Sequence, residues 1–211
     1  MQLTSRWKHR LQVRTRKGKL GASLRPNLDD CELVKKYGKL GPIVGEGSGG
    51  SIQLMARPSD GAVFAVKRFR DRITCEDERS YLRKIKVEFS IGSHLQHANI
   101  IGTYDLFKVH GQWYEVMEYA PYCLFESVKH GKMSTEEIQC SFVQILAGVK
   151  HLHQLGYAHR DLKLENVVVT FKGIMKIIDF GTAKVCRHPH TGHVILATGK
   201  RFTTYSSTEF R

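Results

Sequence analysis

The side chains best suited to chemistry stand close together in the last third of the chain. They belong to two runs, HRDLKLEN at residues 159–166 and IDFG at residues 178–181. Asn166 and Asp179 offer oxygen ligands that suit a hard metal ion, and Asp161 could act as a base. An ordered pattern of this length arises by chance far less often than a single glycine motif. It indicates transfer of a phosphoryl group from ATP.

Such a transfer needs a cradle for the phosphates, and the sequence concentrates glycines in one upstream turn. Gly45, Gly47 and Gly50 form the pattern G-x-G-x-x-G between two apolar, strand-like segments. Glycines there would let backbone amides approach phosphate oxygens without obstruction by side chains. No Gly-Lys-Ser/Thr follows, which argues against a P-loop NTPase, and the next element is a strand, which argues against a Rossmann site. An ordinary glycine turn is the alternative.

A buried ion pair is predicted between a strand and a helix. The run FAVKRF at residues 64–69 alternates with period two, which puts Lys67 on an inward face beside a small alanine. Residues 78–95 have a helical pattern in which Glu88 lies on the apolar stripe. A carboxylate there is costly unless it meets a cation, so we expect it to pair with Lys67. The alternatives are a solvent-facing lysine, a glutamate at the edge of the stripe, and pairing through Glu78.

The remaining patterns predict how these groups are carried. Two strands are expected at residues 101–109 and 112–119, joined by a His110-Gly111 turn, and they complete a small antiparallel sheet. A capping box at residues 134–137 begins a helix. A hairpin follows the HRDLKLEN run at residues 166–178. The apolar stripe of the capped helix consists of Ile138, Phe142, Ile145, Leu146, Val149 and Leu152.

Composition excludes several classes of protein. With 211 residues, of which 41% are hydrophobic and 25% charged, the chain can bury a core and is not a disordered protein. The five cysteines are scattered without a C-x-x-C pair, which argues against a disulfide framework or a zinc site. No apolar run approaches the roughly 20 residues that span a bilayer, and no signal peptide is recognisable. A cytoplasmic location is expected.

The charge is concentrated at the N-terminus. The formal net charge is +13, and residues 1–25 contain eight lysines and arginines with no acidic residue. This composition favours a solvated, flexible leader over a phosphate-binding or targeting arm. A targeting arm of this kind would associate peripherally with an anionic membrane. A specific nucleic-acid partner is not expected, because the rest of the chain is only mildly basic.

Taken together, these residues give the chain a resemblance to eukaryotic protein kinases of the serine/threonine type. The resemblance implies that Asp161 orients the acceptor hydroxyl and takes up its proton. It implies that Lys163 screens the γ-phosphate, which favours serine or threonine acceptors over tyrosine. Lys67 would contact the α and β phosphates of ATP, and Asn166 and Asp179 would hold Mg²⁺.

The resemblance also assigns the adenine site. Met117 would be the gatekeeper, followed by a hinge at Glu118, Tyr119 and Ala120 whose backbone bonds the base. The ring would lie between Ile52, Ala65 and Val168. Apolar strand residues are more often simply core, which is the alternative for these positions. The phrases KLEN, HANII and MEYAP are similar to those of fungal kinases of the halotolerance and nitrogen-permease-reactivator group.

The fold class expected from this resemblance is α+β, with a complete, small β-rich N-lobe and a truncated helical C-lobe. We divide the chain into a basic leader (1–36), an N-lobe with hinge (37–120), a partial C-lobe (121–187) and an irregular polar tail (188–211). No A-P-E segment follows IDFG. Because the helices that normally cover the helix at 135–153 are missing, part of its apolar stripe should stay exposed.

Three other functions are weighed against a protein kinase. The chain could be a non-catalytic fragment that binds nucleotide or a partner. A small-molecule kinase of the aminoglycoside type is disfavoured. That family usually has H-G-D at this motif, whereas here Arg160 precedes the aspartate and Lys163 follows two residues after it. A basic nucleic-acid binder would need salt-dependent binding that survives deletion of residues 1–25.

Overall fold

The computed structural model describes residues 31–129, 131 and 133–186, so most of the predicted leader and the predicted tail (188–211) lie outside the described residues. Besides a 3-10 turn at Leu164–Asn166, the helices and strands in chain order are α1 (Glu32–Tyr37), β1 (Leu40–Gly47), β2 (Gly50–Ala56), β3 (Val63–Phe69), α2 (Glu78–His94), β4 (Thr103–Val109), β5 (Gln112–Glu118), β6 (Tyr122–Cys123), α3 (Leu124–Lys129), α4 (Thr135–Gln154), β7 (Tyr157–Ala158), β8 (Val167–Val169), β9 (Met175–Ile177) and β10 (Lys184–Val185).

The N-terminal part is built on one antiparallel sheet of five strands in the order β1-β2-β3-β5-β4. The predicted strands at 101–109 and 112–119 are present but shorter, because the first begins at Thr103 and the second ends at Glu118. Strands β3 and β5 occupy the middle of the sheet and so have partners on both sides. Residues on these two strands are therefore held by backbone pairing on both sides.

Helix α1 corrects the predicted boundary of the leader. Its Leu33 and Tyr37 are buried against the sheet in a cluster that includes Met55 and Val66. The Tyr37 hydroxyl donates a hydrogen bond to Asp105 of β4, and Lys36 forms an ion pair with the same carboxylate at 2.7 Å. Residues 32–36 therefore belong to the N-lobe, whereas the sequence had placed them in the leader.

Helix α2 forms where the sequence predicted a helix, ending one residue earlier. The Asp77 side chain caps its start by accepting from the backbone amide of Ser80 at 3.0 Å. Its buried face contains Ile85, Glu88 and Ile91, so the predicted apolar stripe does carry the glutamate. The same face joins the two parts of the fold, because Ile91 packs into the core of the C-terminal part.

The C-terminal part combines α4 with a small sheet in the order β6-β8-β9. Strands β8 and β9 are the predicted hairpin, slightly shortened. Ser134 and Glu137 form the predicted capping box, with hydrogen bonds of 3.3 Å from Glu137 N to the Ser134 hydroxyl and 2.8 Å from Ser134 N to the Glu137 carboxylate. The apolar core of this part joins α2, α4 and β9 to the residues around Phe180.

The apolar stripe of α4 is divided between core and surface. Leu152 is fully buried and Val149 packs beside it. Toward the start of the helix, the exposed side chains are Ile138 (53%), Phe142 (60%), Val143 (65%) and Leu146 (49%). The structure thus leaves several consecutive turns of this stripe uncovered, as the sequence analysis expected. Within the described part of the chain, no helix has the length and apolarity to cross a membrane.

Candidate active site

A cleft of about 250 Å³ lies between the five-stranded sheet and the β8–β9 hairpin. Its wall contains every residue that the sequence analysis assigned to the phosphate cradle, the adenine site and the metal, together with Glu88. Asp161 and Lys163 are not part of that wall. Both lie in the loop that leads to Asn166, and Asn166 does line the cleft. The structure therefore brings the predicted groups to one place.

The glycine turn closes the hairpin between β1 and β2 and forms one side of the cleft. Gly47 pairs with Gly50 at its tip. Gly50 has φ of +138°, and a Cβ there would stand 2.0 Å from the carbonyl oxygen of Arg68. A Cβ on Gly47, in contrast, would meet nothing within 4 Å. The fold itself therefore requires glycine at position 50. It does not require glycine at position 47, where the absence of a side chain would instead let a ligand approach the backbone.

The predicted pair forms between Lys67 of β3 and Glu88 of α2, as an ion pair whose side chains are only 12% and 10% exposed. Burial acts to lower the pKa of the lysine, but the carboxylates of Glu88, Asp179 and Glu115 outweigh it and hold that pKa above its ordinary value. Lys67 is thus a fixed positive charge at the back of the cleft. Such a charge suits a phosphate group.

The loop between α4 and the 3-10 turn presents its side chains through a network of hydrogen bonds. Asn166 donates to the backbone carbonyl of Asp161 at 2.9 Å and to its carboxylate at 3.1 Å. Lys163 forms an ion pair with the same carboxylate at 2.7 Å. The hydrogen bond from this ammonium and its charge, with the bond from Asn166, hold the pKa of Asp161 below its ordinary value. Asp161 therefore remains an ionised acceptor.

His159 holds this loop against the strand that precedes Asp179. Its Nε2 donates to the carbonyl of Ile178 at 3.0 Å, while its Nδ1 accepts from the amide of Asp161 at 3.3 Å. These two bonds fix the tautomer with the proton on Nε2. Thr182 closes the loop from the other side by donating to the carbonyl of His159 at 2.9 Å. His159 opens the HRDLKLEN run, but no pattern in the sequence predicted these partners.

The residues available to a metal ion are Asn166 and Asp179. The amide nitrogen of Asn166 is used in the bonds to Asp161, so its side-chain oxygen remains for a ligand. Asp179 accepts a long bond of 3.3 Å from the amide of Gly181 through one carboxylate oxygen. Mg²⁺ commonly takes one or two protein oxygens and completes its shell with water and phosphate. The two side chains fit that demand, and both line the cleft.

The far end of the cleft is apolar. Met117 of β5 stands opposite Ala65 of β3 in the sheet, and Val168 of β8 lines the cleft from the opposite side. The carboxylate of Glu118 forms an ion pair with Lys176 at 2.7 Å, so this side chain is not available to a ligand. The backbone amide of Glu118 is also engaged, because it donates to the carbonyl of Gly102 at 2.7 Å. Sequence reasoning missed Lys176, because nothing local connects it to the hinge.

Sequence reasoning also missed Glu115, which lines the cleft and is only 3% exposed. It stands opposite Lys67 in the pairing of β3 with β5. A signal was available, because period-two alternation along β5 places Glu115 on the same face as Met117. A second buried carboxylate therefore stands beside the Lys67–Glu88 pair.

Comparison with known proteins agrees with this geometry. The family model of the protein kinase domain matches residues 39–209. A serine/threonine-protein kinase of Schizosaccharomyces pombe, oca2, is 51% identical over 183 residues, which is 87% of this chain and 28% of that protein.

Two relatives from Saccharomyces cerevisiae belong to the group that the sequence phrases indicated. The nitrogen permease reactivator protein is 48% identical over 165 residues, covering 78% of this chain and 21% of its own length. The serine/threonine-protein kinase HAL4/SAT4 is 36% identical over 178 residues, covering 79% of this chain and 29% of its own length. The chain thus spans less than a third of each of these relatives. With a kinase-domain match over most of its length, the chain belongs to the protein kinase family.

Proposed function

We propose that the protein transfers the γ-phosphoryl group of Mg²⁺-ATP to serine or threonine hydroxyls of protein substrates. The observation that carries this proposal is the grouping of a buried Lys67–Glu88 ion pair, two metal-competent oxygens and an ionised Asp161 around one cleft. Phosphoryl transfer is mainly a matter of positioning and charge stabilisation, and these groups supply both.

Each side chain has a distinct task in this reaction. Asp161 orients the acceptor hydroxyl and takes its proton as the oxygen attacks the γ-phosphorus and the bond to the β-phosphate breaks. Lys67 supplies a positive charge at the back of the cleft for the α and β phosphates. Lys163, which is half-exposed beside Asp161, supplies a second charge for the γ-phosphate. Bound Mg²⁺, held by Asn166 and Asp179, would neutralise charge on the phosphates.

The serine/threonine preference rests on two supports. Lys163 stands two residues after Asp161, the position at which the resemblance places a lysine in serine/threonine kinases. Several relatives are themselves named as serine/threonine-protein kinases. The identity of the substrate protein would depend on surfaces beyond the cleft.

A second function remains a candidate because of the exposed start of α4. A chain that leaves Phe142 and Val143 more than half exposed could bind nucleotide without completing a substrate platform. In that case the protein would be a non-catalytic, nucleotide- or partner-binding kinase fragment. Nucleotide binding without transfer is the result that would favour it.

We also propose a cytoplasmic location. Among the described residues, Cys31, Cys75, Cys123 and Cys186 are free thiols. Free thiols are usual in a reducing compartment. Association of the basic leader with an anionic membrane stays a prediction, because that segment lies outside the described residues.

The test is transfer of radiolabelled γ-phosphate from Mg²⁺-ATP to a generic basic protein by purified residues 1–211, compared with D161N. We expect transfer by the unaltered chain and a loss of at least about a hundredfold in D161N, with nucleotide binding retained. Equal transfer by both proteins would refute the role of Asp161. Nucleotide binding with no transfer by the unaltered chain would support the fragment, and the absence of both would refute the proposed function.

A further inference from the structure

Glu115 is a buried carboxylate that the proposed reaction does not use. It lies in β5, which is paired with β3 on one side and β4 on the other. Its residue is 3% exposed, and among the described residues its carboxyl group forms no ion pair. Burying a carboxylate without a partner is unfavourable, so its presence in a nucleotide cleft calls for a physical reason.

The sheet directs this carboxylate toward Lys67. The two residues are direct partners in the antiparallel pairing of β3 and β5. Partners of this kind project to the same face, with Cβ atoms about 4.5–5.5 Å apart. Both side chains also line the same cleft. The lysine therefore has two carboxylates within its surroundings: Glu88, with which it is paired, and Glu115.

The two carboxylates are carried by different elements of the fold. Glu88 belongs to helix α2, whose first turn is exposed at Glu78, Arg79 and Ser80. Glu115 is fixed between two strand neighbours in the same sheet as Lys67. A shift of α2 would change the distance from Lys67 to Glu88 but would leave the distance to Glu115 as it is.

Charge balance accounts for the pairing of Lys67 with Glu88 rather than with Glu115 in this structure. Burial, then the charges of Glu88 and Asp179, raise the pKa of Glu115 to about 8, while Lys67 acts in the opposite direction. The β4 residue opposite Glu115 is the apolar Leu106. With Glu88 in place, the neutral form of Glu115 is therefore favoured. Withdrawal of Glu88 removes one cause of the raised pKa and frees the lysine.

We propose that Glu115 is a positioning residue for Lys67: a second carboxylate, fixed in the sheet, that takes over the ion pair when Glu88 is withdrawn. Lys67 then stays at the back of the cleft whether or not α2 holds its glutamate against the sheet. The inference rests on the proposed function, because the task of Lys67 is to bind the phosphates of the nucleotide.

The test is a double-mutant cycle on nucleotide affinity, with Mg²⁺-ADP as the probe and adenosine as the ligand control. The variants are E88Q, E115Q and E88Q/E115Q, and calorimetry gives the dissociation constants. We expect E115Q alone to leave ADP affinity within about twofold, E88Q alone to weaken it about threefold to fivefold, and the double variant to weaken it at least about a hundredfold. Adenosine, which has no phosphate for Lys67, should bind all variants within about twofold of the unaltered chain.

The matched control uses the exposed Glu78 of the same helix. E78Q should leave ADP affinity unchanged, and E78Q/E115Q should weaken it no more than E115Q alone. Independent, multiplicative effects of E88Q and E115Q would overturn the proposal, as would parallel losses of ADP and adenosine affinity, which would indicate a general disturbance of the cleft.

Loss of folding in the double variant and loss of ligand binding in the unaltered chain are distinguished from the proposal as follows. If the double variant fails to fold in urea titrations, E88D and E88D/E115Q replace it, and we expect an excess loss of ADP affinity of at least about threefold in that double variant. If the unaltered chain binds neither ligand, the proposed function is refuted and this inference with it. Binding of both ligands with multiplicative effects refutes this inference alone.

Discussion

At the scale of single residues, the site is defined by which charge each titratable group faces. Asp161 is solvent-accessible, yet its pKa is lowered by the hydrogen bond from the Lys163 ammonium, by the lysine charge and by the bond from Asn166. Glu115 is buried, and its pKa is raised by burial and by neighbouring carboxylates. The pKa values of two carboxyl groups in one site are therefore shifted in opposite directions, which favours the ionised form of the accessible group and the neutral form of the buried one.

The first prediction concerns the acid limb of the pH profile. Because Lys163 keeps Asp161 ionised below the ordinary range of a carboxyl group, kcat/KM should persist to low pH and fall only as pH drops through that depressed pKa. In K163M the pKa of Asp161 should rise, so the acid limb should move to higher pH. Profiles of kcat/KM against pH measure the shift independently of any loss in maximal rate.

The control for this prediction is K172M, at an exposed lysine in the turn between β8 and β9. This variant should leave the acid limb where it is. An acid limb at the same pH in K163M and the unaltered chain would contradict the role of Lys163 in holding the charge of Asp161.

At the scale of elements, the sequence predicted the periodic ones well, and the reasons are local. Helix α4 begins directly after its N-cap residue Ser134. The side chains of Ser134 and Glu137, three residues apart, each accept a hydrogen bond from the other's backbone amide. Strand β3 follows from alternation alone. Helix α1 has six residues, too few to be stable in isolation, and forms because the sheet buries Leu33 and Tyr37. Nothing within residues 32–37 signals that contact.

The second prediction distinguishes two glycines in one turn. G50A should destabilise the protein by about 2 kcal/mol or more, because the new methyl group would strike the Arg68 carbonyl and Gly50 has a φ that side chains avoid. G47A should change stability by less than about 0.5 kcal/mol, because a Cβ there meets nothing within 4 Å. Urea titrations measure both.

The same pair of variants separates folding from binding. G47A should weaken Mg²⁺-ATP binding while the protein stays folded, because its methyl group would stand where a phosphate must approach the backbone. Stability of G50A equal to that of the unaltered chain would show that the turn adapts, and the structural requirement for glycine there would be wrong.

At the scale of the whole molecule, the two parts of the fold meet through one core, but α4 is only half covered. The buried face of α4 contributes Leu152 to the core, whereas Ile138, Phe142 and Leu146 of its apolar stripe are exposed. A contiguous apolar surface of this kind favours association with other surfaces. The chain covers less than a third of relatives such as oca2. In those proteins the segment that matches this face is part of a much longer chain.

The third prediction follows from this exposed face. Purified residues 1–211 should self-associate at micromolar concentration, and F142K/V143K should reduce that association because two charges interrupt the patch. Sedimentation velocity over a range of concentrations measures it. The free energy of unfolding should change by less than about 0.5 kcal/mol per substitution, since both side chains are more than half exposed.

Two controls locate the effect. I73K changes an exposed but isolated apolar residue before α2, and it should leave self-association as it is. L152A changes the buried face of α4 and should cost about 2–5 kcal/mol of stability. If F142K/V143K associates as strongly as the unaltered chain, the exposed face of α4 is not the surface through which copies meet.

The sequence by itself determined the order of the chemical groups, the family they indicate, and the periodic helices and strands. It also predicted the pairing of Lys67 with Glu88, which the structure contains. Those inferences depend on neighbours along the chain, or on the cost of burying a lone carboxylate. Only the tertiary structure decided that Lys176 holds Glu118, that α1 covers the sheet, and that Glu115 faces Lys67. These contacts join segments far apart in the chain, and strand register and packing, which no local pattern specifies, bring them together.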